Sequence, residues 1–175
     1  VSKMPPEVRV QFYRALCASC GLNPLTRPFI LLKTRPTEHN PSGELTWYAT
    51  VGAAEQLRKL HLVSTRILSR ERTEDGLYVV TVQASTPDGR QEESQGIVAI
   101  GGLKGQELAN ALMRCGSKAL RRVTLAICGL GLVLADDERG QVVPFNPQTG
   151  TVELPPPAPE AEATTLLTTV GQWFR

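Results

Sequence analysis

Residues 110–131 read NALMRCGSKALRRVTLAICGLG. At about 100° per residue, Leu108, Leu112, Cys115, Ala119, Val123 and Ala126 fall on one narrow face. Their steps of 4, 3, 4, 4 and 3 match the period of a helix with one side in a core. The spacing predicts a helix over 106–128, ended by Gly129 and Gly131. Arg114, Lys118, Arg121 and Arg122 share the neighbouring arc, which spans roughly 100°. Cations at i, i+4, i+7 and i+8 repel, each close pair costing roughly a few tenths of a kcal/mol. The only nearby helical acid, Glu107, stands a full turn or more before Arg114. The helix does not neutralise its own stripe. Partners must come from acids on other elements, from solvent, or from a bound polyanion.

Working outward, residues 5–20 carry two prolines at their start and Val8, Phe12, Ala15, Leu16 and Ser19 at helical spacing. Gly21 ends that helix as a left-handed cap. Residues 28–35 and 44–51 read as strands joined by a polar connection, a hairpin. Residues 53–61 form a short helix with Ala53, Leu57 and Leu60 on one face. Three alternating stretches follow at 62–71, 76–85 and 95–100, separated by TEDG and TPDG. The D-G steps favour tight reversals, so these make an antiparallel meander. Simple alternation puts Val63, Thr65 and Ile67 on one face, Ser64, Arg66 and Leu68 on the other, and Arg66 and Arg70 together. Past the long helix, QVVPFNPQTGTVEL makes a small hairpin, PPPAPEAEA is an extended linker, and TTLLTTVGQWFR is a docking segment too short to fold alone. The expected class is α+β, with an antiparallel hairpin and meander packed on a long basic helix and short flanking helices. Residues 1–139 form the core. Residues 140–175 form a Pro-rich extension that docks on that core or on a neighbouring subunit.

The 175 residues are 41% hydrophobic and 21% charged, enough for a sizeable core. No apolar run approaches the roughly 18 residues a membrane span needs. Net charge is only +2, but the window 104–122 holds five cations and a single acid. Arg outnumbers Lys 14 to 5, which suits bidentate phosphate contact and equally a GC-rich genome. The four cysteines include one C-x-x-C, Cys17 to Cys20. Cys115, Cys128, His39 and His61 do not complete a zinc spacing. Four reduced and mostly buried thiols are expected, with no metal. GGLKG at 101–105 lacks the Walker spacing, so no ATP hydrolysis is expected.

A row of Arg and Lys along a rigid helix can track a sugar–phosphate chain, each neutralised phosphate releasing counterions. Lys104 adds a cation where the first backbone N–H groups of the helix are free to donate to an anion. Ala111, Gly116, Ser117 and Ala119 are small enough for another chain to approach. Adjacent Trp47 and Tyr48 point to opposite faces of a strand. One belongs to the core, and the other is a base-stacking candidate unless both pack inside.

Several pieces in order carry a resemblance: FYRALCASCGLNPLTRPFILLKT, LTWYATVGAAEQLRKLH, QGIVAIGGLKG, and NALMRCGSKALRRVTLAICGLG trailed by LADDE. Over most of residues 7–135 the chain resembles the phage RecT/Redβ class of single-strand annealing recombinases. That likeness implies binding of single-stranded DNA and annealed duplex, and assembly into rings or helical filaments. It implies a role in recombination and DNA repair, with no cofactor and no catalytic residue. It implies that Lys104, Arg114, Lys118, Arg121 and Arg122 hold the backbone, with Arg66 and Arg70 helping from the sheet. It implies a bacterial cytoplasm, and a host single-strand-binding protein or phage exonuclease as partners. Three other readings stay open. Asp136, Asp137 and Glu138 would serve a metal-dependent nuclease, the basic helix a sequence-specific duplex reader, and the whole chain a purely structural module.

Overall fold

The structure, a computed structural model, describes residues 4–33, 45–130 and 141–153. Helix α1 spans Pro6–Ser19, with Pro5 and Pro6 placed where a missing N–H costs nothing. Gly21, at φ +66°, ends it. Gly21 N–H donates to Ala18 O at 3.1 Å and Leu22 N–H to Cys17 O at 2.9 Å. Both orphan carbonyls are thus satisfied, and Leu22 and Cys17 enter one apolar cluster. The buried face is Val10, Tyr13 and Cys17, not the row through Val8 and Phe12, which stays exposed. Tyr13 decides the choice, because its hydroxyl donates to Pro24 O at 2.9 Å while its ring enters the core.

Strands β1 (Phe29–Lys33) and β2 (Leu45–Ala49) pair as the expected hairpin, Leu31 opposite Trp47. Thr50 caps the next helix, α2 (Val51–Leu60): its Oγ1 accepts from Ala53 N–H at 3.2 Å and donates to Pro28 O at 3.0 Å. Ala53, Ala54 and Leu57 are buried, whereas Leu60, expected on that face, is exposed at the helix end beside Gly21. The meander forms as β3 (Ser64–Arg72), β4 (Leu77–Ser85) and β5 (Gln91–Ala99), antiparallel in that order. Helix α3 spans Gly105–Ile127. Strand β6 (Gln141–Val143) pairs with β1 on the side away from β2. A bridge between Phe145 and Val152 closes a small hairpin beyond it.

The fold is α+β, with two separate three-stranded antiparallel sheets among the described residues. The first sheet packs on α1 around an aromatic knot. Trp47 lies 5.6 Å from Tyr13 and 5.1 Å from Phe145, ring centre to ring centre. Val143 is fully buried in this cluster, so the described part of the 140–175 extension is docked on the core. The second sheet packs β4 and β5 on α3 through Val80, Val82, Ala84, Cys115, Ala119 and Val123. The last turns of α3 touch both clusters, Leu125 in the first and Ile127 in the second. Arg58 Nη1 donates to Thr124 Oγ1 at 3.2 Å, tying α2 to α3.

Gly96 sets how close helix and sheet come. A Cβ there would collide with the Cys115 carbonyl and stand 2.8 Å from Ala119 N. Both obstacles are backbone, so neither can swing aside. Gly96→Ala is expected to lower stability by about 1–3 kcal/mol, measured by chemical denaturation.

Candidate nucleic-acid interface

The long helix has two halves with different surroundings. Toward its start, among the described residues, only one side is covered: Ala111 and Cys115 are buried, Cys115 in the cluster of the second sheet. Toward its end Ala119, Arg121, Val123, Thr124, Leu125 and Ile127 are all buried, so opposite sides of the helix are covered there. A helix buried on opposite sides lies between two layers. The basic arc crosses from one regime to the other, and that divides its four cations.

Arg114 is exposed, and Lys118 one turn on is half-buried. Lys104 caps the helix start and is exposed. Among the described residues none of these three has a carboxylate within 4.0 Å. Arg114 lines a shallow groove of about 650 Å³ on the outer side of α3 with Leu103, Glu107, Asn110, Met113 and Ser117. Met113 is exposed there, and Glu107 is the opposing charge in the groove. Arg122 is half-buried and lines a hollow with Glu93, Ser94, Gln95 and Ile97 of β5. The flank of α3 carrying Lys118 and Arg122 therefore overlooks the β5 edge.

Arg121 departs from the expected surface stripe. It is 1% exposed, and its guanidinium carbon sits 4.2 Å from the centre of the Tyr48 ring. The expectation treated α3 as having one buried side; the first sheet supplies a second one. Trp47 belongs to the aromatic knot and is buried. Tyr48, on the opposite face of β2, is half-buried with Arg121 over its ring. Neither aromatic ring is a bare platform for a base.

Arg66 and Arg70 do not share a face. The register shifts between Ile67 and Ser69, so Leu68 is an extra residue on β3. Arg66 then stands opposite Gln83, whereas Arg70 stands opposite Val80, which is buried against α3. The bulge sends Arg70 to the helix side and Arg66 to the outer side. Of the small residues, Ala111 and Ala119 are consumed by packing inside the chain, while Gly116 faces open space among the described residues.

Among the described residues no three His, Cys, Asp or Glu side chains gather to hold an ion. Burial pushes the thiols of Cys17, Cys115 and Cys128 upward from their ordinary range, keeping them protonated at neutral pH. Asp136, Asp137 and Glu138 lie outside the described residues, as do the PTEHNPSGE turn and the TTLLTTVGQWFR segment. Among the described residues no helix is long and apolar enough to cross a membrane.

Sequence reasoning missed one array. Arg66, Gln83 and Glu93 form a single row across the second sheet. The TPDG turn contained half the signal, since it fixes Gln83 opposite Glu93; the bulge that fixes Arg66 left none.

The chain matches no known protein-family model and no curated protein.

Arg121→Ala is expected to cost about 2–5 kcal/mol in chemical denaturation, because it leaves a hole between α3 and the first sheet. Arg114→Ala is expected to stay within about 0.5 kcal/mol of the parent in the same measurement.

Proposed function

We propose that this chain binds single-stranded DNA along the basic flank of α3 and promotes annealing of complementary strands as a homo-oligomer, without ATP or metal. One observation carries the reading. Lys104, Arg114 and Lys118 stand along one rigid helix with no described carboxylate within 4.0 Å of them. The cost of holding like charges in a row is offset when a phosphate chain lies on them. The resemblance to RecT/Redβ annealing proteins points the same way.

Annealing asks little chemistry of a protein. Base pairing drives the reaction. The protein has only to screen backbone repulsion, extend the strand and keep many sites in line. A helix clamped at one end between two sheets is a stiff support for such a row. The binding is therefore independent of sequence and steeply dependent on salt. Phosphate contacts position a strand but do not read it.

The test is binding of a fluorescent oligothymidine by the Lys104→Ala, Arg114→Ala, Lys118→Ala triple variant across a salt series. Each lost phosphate contact lowers the slope of log affinity against log salt by about 0.7. The expected drop is about 2, with thermal stability unchanged because all three side chains reach solvent. An unchanged slope removes α3 as the interface.

A further inference from the structure

The second sheet carries its charge unevenly. Edge strand β3 holds Arg66, Arg70 and Arg72 against Glu71, and edge strand β5 holds Glu92 and Glu93 with no cation. Within the sheet, Arg66, Gln83 and Glu93 lie level on its outer face, away from α3. Gln83 Nε2 donates to Glu93 Oε1 at 3.1 Å, which leaves the other carboxylate oxygen for a second donor. Arg66 ends the row on one edge and Glu93 ends it on the other, both exposed. Among the described residues neither edge has a further strand beside it, and neither contains a proline to block pairing.

We propose that β3 of one copy pairs with β5 of the next, Ser64–Ile67 against Gln91–Ser94, so that Arg66 meets Glu93 across the junction. Strands β3 and β5 run the same way, because both are antiparallel to β4. The junction is thus a parallel ladder, and every α3 stays on one side of the extended sheet. An unstaggered repeat brings Arg66 of the next copy level with Glu93. Two-fold pairing of like edges would set arginines against arginines or glutamates against glutamates, which charge disfavours. A head-to-tail contact of unlike edges propagates into a ring or filament. The Leu68 bulge ends the ladder after Ile67 and keeps it short.

The neighbour also completes the binding site; this step rests on the reading under Proposed function. Helix α3 packs on β4 and β5, and among the described residues nothing covers the helix-side face of β3, with Ile67 38% exposed. In the assembly that strip lies between two α3 helices. Its floor is Arg70 and Arg72 of one copy, and its wall is the Lys118 and Arg122 flank of the other. The strand-binding groove is therefore built from two subunits at each step.

Sedimentation velocity of the full chain without DNA tests the junction. The parent is expected to sediment as large assemblies. Arg66→Glu alone and Glu93→Arg alone are each expected to fall to single chains. The Arg66→Glu, Glu93→Arg double variant, and an equal mixture of the two singles, are expected to regain the large species. Singles that sediment like the parent, a mixture that stays small, or a parent that is itself a single chain would each overturn the junction. Amide exchange is a second measure needing no variant: protection of Gln91–Ser94 rises with chain concentration, and a flat response overturns it. Oligothymidine binding, scored separately, distinguishes the two readings. Assembly without binding removes the DNA reading alone, and binding by a chain that never assembles removes the junction alone.

Discussion

The close approach of Gly96 to the backbone of α3 is the constraint from which the architecture follows. No side chain fits between the strand and the Cys115–Ala119 turn, so helix and sheet meet backbone to backbone. Cys115 reinforces the contact, its Sγ 3.1 Å from the Gly96 carbonyl. Because α3 lies so deep on β4 and β5, its far side is left for the first sheet and α2. The two apolar clusters share this helix. Its last turns hold the two sheets together, and its first turns project along the surface.

That division sorts cations that the helical wheel treats alike. A guanidinium taken out of water is costly unless its surroundings compensate. Arg121 lies over the face of Tyr48, where the ring quadrupole favours a cation. Arg114 keeps its water. One helix thus uses arginine as internal mortar at one end and as a surface charge at the other. The line between the two roles is where the first sheet begins to cover it.

Much of the fold was legible because local chemistry agreed with the final packing. Gly21 as a left-handed cap and the two D-G turns each act within a few residues, and each stands where expected. The face of α1 was misread because two apolar rows compete there, and the choice rests on a hydroxyl reaching Pro24, a contact invisible to periodicity. Arg121 was misread because a one-dimensional pattern assumes one buried side. Arg66 and Arg70 were misread because an inserted residue on a strand inverts everything after it. Of the candidate site, Arg114 and Lys118 stand on the helix flank as the spacing implied, and Lys104 stands at the helix start. The faces of the sheet were not accessible to that reasoning.

The two sheets differ in how they are threaded. The meander and α3 come from one continuous stretch, each strand pairing with the next. The first sheet draws β1 from near the start of the chain and β6 from beyond α3, and Gly150 fits against the Pro6 carbonyl where no side chain would. Long-range closures of this kind are slow, and segments waiting for them stay exposed. During synthesis the meander and its helix can therefore mature while α1 and the hairpin still lack their third strand. Leu31 and Trp47 remain half-wrapped until Val143 and Phe145 leave the ribosome, and a nascent chain stalled before that point presents an apolar surface to its neighbours.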